Sequence, residues 1–526
     1  MRIGFTSIYA WRPHVEHLSY LAGLAQAGGH AVSFLTCDSD LEHCYTKALR
    51  PEVSDFVHCT RCRVGGVRSY AGRGVHSIGS LVDRTVALPA CASEWSRSSA
   101  STLGRFESDE EFASGEFLDL AAHLDPPTRD AYTAALRWIE RARLDAICLF
   151  NGRMDATRAV LEAARAAGIP FVSLERTWFG DGLQLLPGEN CLGLQNVDQL
   201  VREWRNRPLT QSQALRAAGH IASRFLRRNG KEWRAYNIAA RQADWPRPAA
   251  PRRVLLVPGS RNEVWGHPDW ISKWPHHTVA FDALIDQLGL DAREVVLRCH
   301  PNWGERIGTQ DGHRSEQHFT EWARQRGIHC IASTDPASTL GLIEQCDAVV
   351  VCGGSAALEA GVLGKQVIAV APSNYQQAGF QSDADTPAAM RDVTLHCELD
   401  RQTQARRAAE IARLTLRFAY TMIYRVPQFV DQVRCITTTR YEYREGADPA
   451  RLTELLRSAV LTADDSGWSD DASGEDAVLE RIAARDWNSL LDGATAPSVT
   501  ALSPVKRRWL FRPIDRIREA MPRGDL

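Results

Sequence analysis

The chain lacks any apolar run near the ~20 residues that a membrane-spanning helix needs, so no segment reads as crossing a bilayer. It lacks net charge: 62 Lys and Arg stand against 64 Asp and Glu, a formal −2, which supplies no global field for nucleic acid. No G-x-G-x-x-G turn follows its first strand, so a dinucleotide cofactor is not expected. A secretory pattern is absent too, because Met1-Arg-Ile-Gly-Phe-Thr-Ser-Ile runs directly into a strand. Cysteine is not scarce, but 13 residues scattered over 526 make no compact disulfide framework. These absences read as a cytoplasmic protein with reduced thiols, with peripheral contact at the inner membrane left open.

What the chain does have is an α/β rhythm. Short β-branched runs at 3–8, 30–35, 145–150 and 169–174, and again at 253–257, 294–297, 327–331, 347–351 and 366–371, alternate with helical stretches. Such alternation implies parallel sheets whose ligands sit at the carboxyl ends of the strands. Three prolines within 244–252 break the pattern and mark a boundary. The expected organisation is an N-terminal acceptor and catalytic α/β domain over 1–244 and a C-terminal nucleotide-sugar-binding α/β domain over 245–440. Beyond these, 441–526 is an acidic flexible segment followed by a basic amphipathic tail. The segment 63–80 reads as a loop, and 232–243 as a helix.

Polar clusters sit where these strands end. Cys352-Gly-Gly354-Ser355 leaves a strand and opens a helix, so Gly354 N–H groups and the Ser355 hydroxyl can face an anion. Glu359 lies one turn inward on the same helix face and suits a pair of ribose hydroxyls. Arg298 and His300 end another strand and can reach phosphate oxygens, His300 counting as catalytic at the leaving group. Ser260, in Pro258-Gly259-Ser260, is a further phosphate contact. In the first half, one strand ends in Asn151-Gly152-Arg153 and the next in Glu175-Arg176-Thr177. Glu175 is placed to act as general base on an acceptor hydroxyl, as a nucleophile, or as half of an ion pair with Arg153 or Arg176. Asn151 and Arg153 position ligand or orient Glu175; Asp181 is the reserve carboxylate, otherwise a turn residue.

Two further stretches carry chemistry. Cys37, Cys44, Cys59 and Cys62 offer four thiolates for a structural zinc, although the spacing of the first pair is looser than a zinc knuckle uses. Their alternative reading is four ordinary thiols. The tail from Ser503 to Met521 interleaves basic residues with Trp509, Leu510, Phe511, Ile514 and Ile517, a pattern for an anionic membrane surface, a partner, or local packing. Trp265, Trp270 and Trp274 are read as domain packing, with sugar stacking as the alternative.

The order Arg-x-His-Pro, Ser-Thr-x-x-Leu-Ile-x-x-Cys-Asp and Gly-Ser-x-x-x-Glu-Ala-x-x-x-Gly-Lys resembles the bacterial capsular polysaccharide biosynthesis glycosyltransferases, over roughly 144–375. The resemblance implies a GT-B-like fold of two Rossmann-like domains facing a cleft. It implies transfer of a hexosyl or ulosonic acid unit from a CMP- or UDP-linked donor to a glycan or lipid-linked acceptor, without a catalytic metal. It places Glu175 at the family's acidic motif. Two departures stand out: Thr177 replaces a glycine, and Pro258-Gly259-Ser260 replaces Pro-Ser-Ser. The alternatives are a nucleotide-sugar 2-epimerase, a glycerophosphate-type polymerase, and a non-catalytic glycan-assembly protein.

Overall fold

Val254-Leu-Leu-Val257 and Ala348-Val-Val-Val351 carry no polar side chain for water, and both runs are buried along their whole length. Strands of that composition belong inside a parallel sheet covered on both faces. The computed structural model describes residues 1–526 apart from 234, 308, 309, 494–500, 503, 504 and 521–526. It contains two six-stranded sheets of this kind. In the first, β1 (Arg2–Thr6), β2 (Ala31–Thr36), β3 (Val75–Ser77), β4 (Ala146–Phe150), β5 (Phe171–Arg176) and β6 (Leu183–Pro187) lie in the order 3-2-1-4-5-6. Only β6 runs antiparallel to its neighbour. In the second, β7 (Val254–Val257), β8 (Val295–Arg298), β9 (His329–Ile331), β10 (Ala348–Val351), β11 (Gln366–Ala369) and β12 (Gln381–Asp383) lie in the order 9-8-7-10-11-12. The second order repeats the first, so the chain is two doubly wound Rossmann-like domains in the GT-B arrangement.

Differences from the sequence reading have physical causes. The stretch 63–80 contains the end of the helix Asp55–Gly65 and the edge strand β3; its glycines and arginines hide a three-residue strand that only pairing with β2 defines. The stretch 232–243 is not a helix beyond the short turn Tyr236–Ala239. The helix Gly115–Ala142 passes through Pro126 and Pro127, residues that ordinarily mark a start. The acidic stretch 462–476 keeps most of its residues exposed or half-buried, but two of its carboxylates are anchored. Glu475, fully buried, accepts from Arg417 Nε and Nη2 (both 2.8 Å), Arg413 Nη1 (3.0 Å) and the Leu209 N–H (2.7 Å). Asp464 accepts from the Phe429 and Val430 N–H groups. These carboxylates answer arginines and open amides of the long helix Arg401–Tyr420 and its exit, which sequence distance concealed.

That long helix returns the chain to the first domain. Phe418 lies edge-on to Trp178, Tyr424 contacts His220, and Arg425 sits 4.0 Å over Trp204. The segment between 97 and 121 reaches the other way. Phe112 stacks on Trp265 at 4.7 Å, and Ser101 donates to the Asn262 carbonyl. Glu107 is buried between the domains, accepting from the Arg261 N–H (2.8 Å), Asn262 Nδ2 (2.6 Å) and Ser315 Oγ (2.8 Å). Of the other tryptophans, Trp270 donates to the Leu192 carbonyl and Trp274 to the Ala384 carbonyl, so all three pack.

Two outcomes follow for stability. Glu475→Ala strands Arg417 in a buried site and lowers unfolding free energy by about 3–5 kcal/mol in denaturant titration. Burial pushes the Glu107 carboxyl up to about 7 from an ordinary 4.5. A raised folded pKa means its contribution is full below about pH 4.5 and lost as pH rises through about 7. Wild-type stability therefore falls across that window by about 3 kcal/mol relative to Glu107→Gln, read from paired unfolding curves.

Candidate functional site

The carboxyl ends of both sheets turn toward each other, and the loops there touch across the gap. Arg153 Nη1 donates to the Glu263 carbonyl (2.9 Å), and the Leu194 N–H donates to Asp269 Oδ2 (2.9 Å). On the first domain, β5 ends in Glu175. Its Oε1 lies 2.5 Å from His14 Nε2 and accepts from the Arg176 N–H (3.0 Å), while Oε2 accepts from Asn151 Nδ2 (3.0 Å). Burial alone pushes this carboxyl up, but the His14 imidazole, Asn151 and Arg176 outweigh it and hold it down at about 2. Glu175 is thus ionised throughout the neutral range and fixed at both oxygens.

The local sequence explains the placement. Asn151 and Gly152 both adopt positive φ, 64° and 73°, a conformation that asparagine and glycine tolerate. In that turn Asn151 Oδ1 accepts from the Arg153 and Met154 N–H groups, which leaves its amide nitrogen for Glu175. Arg153 bonds Ser98, Thr102 and Glu263, and the Arg176 guanidinium lies 3.7 Å over Trp233 while its charge lowers the Glu175 pKa. Thr177 organises the following turn, donating to the Asp181 carbonyl and accepting from the Gly180 N–H. Asp181 is buried, accepting from the Cys435 N–H (2.7 Å) and pairing with Arg434 (3.0 Å).

On the second domain, Gly259 passes close to β10: a Cβ there would stand 2.9 Å from the Cys352 carbonyl oxygen. This accounts for glycine where Pro-Ser-Ser was expected. Ser260 Oγ accepts from Trp303 Nε1 (2.6 Å), so its own O–H remains to donate. His300 Nδ1 lies 2.7 Å from Asn302 Oδ1, and Asn302 Nδ2 donates to Glu263 Oε1. Burial lowers the His300 pKa. Gly353 has φ +90°, and a Cβ on Gly354 would meet open space. Ser355 precedes the helix Ala356–Val362 and spends no side-chain hydrogen bond on capping it. Glu359 is buried; Oε1 takes Arg224 Nη1 at 2.6 Å, and Oε2 has no partner. Arg298 is buried, donating to the Ala332 and Asp335 carbonyls at the β9 exit, and its Nε has no partner.

The four cysteines do not gather. Cys59 and Cys62 lie on the helix Asp55–Gly65, Cys37 and Cys44 on the segment after β2, and among the described residues no group of three or more His, Cys, Asp or Glu is arranged to hold a metal ion. The sequence reading also missed residues. His14 opens the helix His14–Ala27, where it reads as one of its buried positions. Arg224 and the linker residues Trp233 and Tyr236 were not among the candidates, yet Tyr236 lies edge-on to His300 at 5.9 Å.

No family model matches the chain, and no curated protein sequence matches it. Among solved structures it is similar to KpsC of Thermosulfurimonas dismutans, described as a β Kdo 2,4 transferase, at 15% identity over 60% of this chain and 87% of that one, with a TM-score of 0.31. A KpsC of the same organism described as a β Kdo 2,7 transferase matches at 13% identity over 62% and 89%, TM-score 0.33. The UDP-GlcNAc 2-epimerase of Methanocaldococcus jannaschii, in complex with UDP-GlcNAc and UDP, matches at 10% identity over 87% and 100%, TM-score 0.28.

One acid-stability outcome tests the Glu175 geometry. A carboxyl held at about 2 contributes stability above its unfolded value, lost as pH falls through the folded one. His14→Phe removes the strongest of the groups that lower it, so the acid-unfolding midpoint followed by circular dichroism moves to higher pH.

Proposed function

We propose that this chain is a glycosyltransferase that moves a sugar from a nucleotide-sugar donor to a growing capsular or surface polysaccharide. The observation that carries the reading is the ionised Glu175, clamped by His14 and Asn151 at one strand end, across a cleft from loops that leave polar groups unspent. Those groups are the Ser260 O–H, the Ser355 hydroxyl and one oxygen of Glu359. Glu359 Oε2 suits a ribose hydroxyl, and the loop N–H groups near Gly354 suit phosphate oxygens. His300, whose Nδ1 is engaged by Asn302 Oδ1, meets the leaving phosphate through Nε2, which donates when the ring carries its second proton.

The His14–Glu175 pair then works as a unit. Glu175 has too little proton affinity to take the acceptor proton by itself, since its pKa lies near 2. It acts instead as a fixed negative charge, held in place by His14 and Asn151, that orients the acceptor hydroxyl and stabilises the positive charge developing there. Arg153 and Asn151 keep that pair in register with the donor loops through Glu263 and Asn302. The transferred unit, hexose or ulosonic acid, and the donor base, CMP or UDP, are set by contacts that a bound donor would define.

The test has two parts. A thermal-shift series with CMP, UDP, GDP and their sugars is expected to show stabilisation by one nucleotide class, lost in His300→Ala. With the sugar donor so identified, Glu175→Gln is expected to keep nucleotide binding and lose about 10²–10⁴-fold in turnover. Full turnover in Glu175→Gln would remove the residue from the mechanism, and no stabilisation by any nucleotide would oppose the transferase reading itself.

A further inference from the structure

The C-terminal segment presents a face that the transferase reading does not use. The turn Trp509–Phe511 leads into the helix Arg512–Ala520. One edge of this unit is fastened to the first domain. Arg507 is buried, donating to the Val64 carbonyl (3.0 Å) and pairing with Asp515 (3.2 Å), and Asp515 also takes Arg12 Nη2 at 2.9 Å. The Arg508 N–H donates to the Ser69 carbonyl. The tail is therefore docked by its polar side, the reverse of an ordinary amphipathic helix that buries its apolar residues.

The opposite edge is open. Trp509 is 76% exposed, Leu510 60% and Ile517 57%. Pro513 and Ile517 stand one turn apart on the helix with Trp509 and Leu510 in the turn before it, and Arg512 and Arg516 form a basic row directly beside them; Arg508, on the extended residue before the turn, is exposed as well. Over 505–517 there are five Lys or Arg and one Asp, and that Asp is already paired. The helix Asp55–Gly65, against which Arg507 anchors the tail, adds exposed Arg61, Arg63 and Phe56. Among the described residues no helix is long and apolar enough to cross a membrane.

We propose that this face lies on an anionic bilayer, with Trp509, Leu510 and Ile517 entering the headgroup boundary and the arginine ridge meeting lipid phosphates. The charge pattern selects this occupant: a row of cations beside a row of apolar side chains, held rigidly by ion pairs on the far side, matches the layered chemistry of a membrane surface. A protein groove would be expected to receive the apolar ridge without needing a parallel row of arginines. The docking fixes the first domain against the lipid, since Arg12 and Asp515 tie the tail to the start of the helix His14–Ala27.

The experiment is co-sedimentation of the full chain with phosphatidylcholine vesicles, with and without phosphatidylglycerol. Binding is expected only with the anionic lipid, weakening as salt rises. Replacing Arg508, Arg512 and Arg516 together by Gln is expected to lower it about a hundredfold, near fivefold per charge, and Trp509→Ala roughly tenfold. Thermal unfolding of each variant separates loss of contact from loss of fold, since Arg508 and Arg512 also donate to the Arg68 and Arg507 carbonyls. Absence of binding to anionic vesicles at low salt overturns the proposal, as does binding that survives the triple replacement. A Trp509-dependent dimer in sedimentation velocity, without vesicle binding, would assign the face to a second copy of the chain instead.

Discussion

A guanidinium stripped of water must find acceptors, and Arg224 finds two carboxylates. It lies buried at the end of the helix Gln211–Phe225, with Glu232 on Nε at 2.9 Å and Glu359 on Nη1 at 2.6 Å. Glu359 belongs to the helix after β10 and Glu232 to the linker between the domains, so one buried cation ties three parts of the chain together. Removing either carboxylate leaves an uncompensated charge, the most costly kind of buried defect. The linker's course past Arg176 and His300, and the single free oxygen of Glu359, both follow from where Arg224 sits.

A second chain of contacts joins the domains at the site. Arg153 holds the Glu263 backbone, the Glu263 side chain holds Asn302, and Asn302 sits beside His300. On the other flank Asn151 uses its carbonyl oxygen to close its own turn and its amide to hold Glu175. The consequence is a carboxylate and an imidazole set in place before any ligand arrives. Such preorganisation is what electrostatic catalysis requires, because charges already oriented need not reorganise during reaction. The Glu107 contact and the Phe112–Trp265 stack brace the same cleft from outside.

The strands were legible because parallel sheets demand unbroken apolar runs, and 254–257 or 348–351 admit no other reading. The polar strand ends, Glu175 and Ser355 among them, followed from strand position alone. Side-chain direction did not. Arg298 has the sequence setting of a phosphate ligand but turns toward two carbonyls. His14 sits among buried positions at a helix start and reads as core until β5 brings Glu175 to it across 161 residues. The short strand β3 and the acidic stretch near Glu475 depend on pairing with distant partners, which local composition does not encode. The cysteines show the converse: a suggestive spacing whose members the fold keeps on separate segments.

The transferase proposal puts nucleotide on the second-domain loops opposite Glu175. Hydrogen–deuterium exchange of the full chain with and without CMP, UDP or GDP tests it most directly. The account predicts protection concentrated at 258–263, 299–303 and 352–359, with a smaller change at 174–177 as the cleft tightens. Protection elsewhere, with these loops unchanged in every nucleotide, would contradict it.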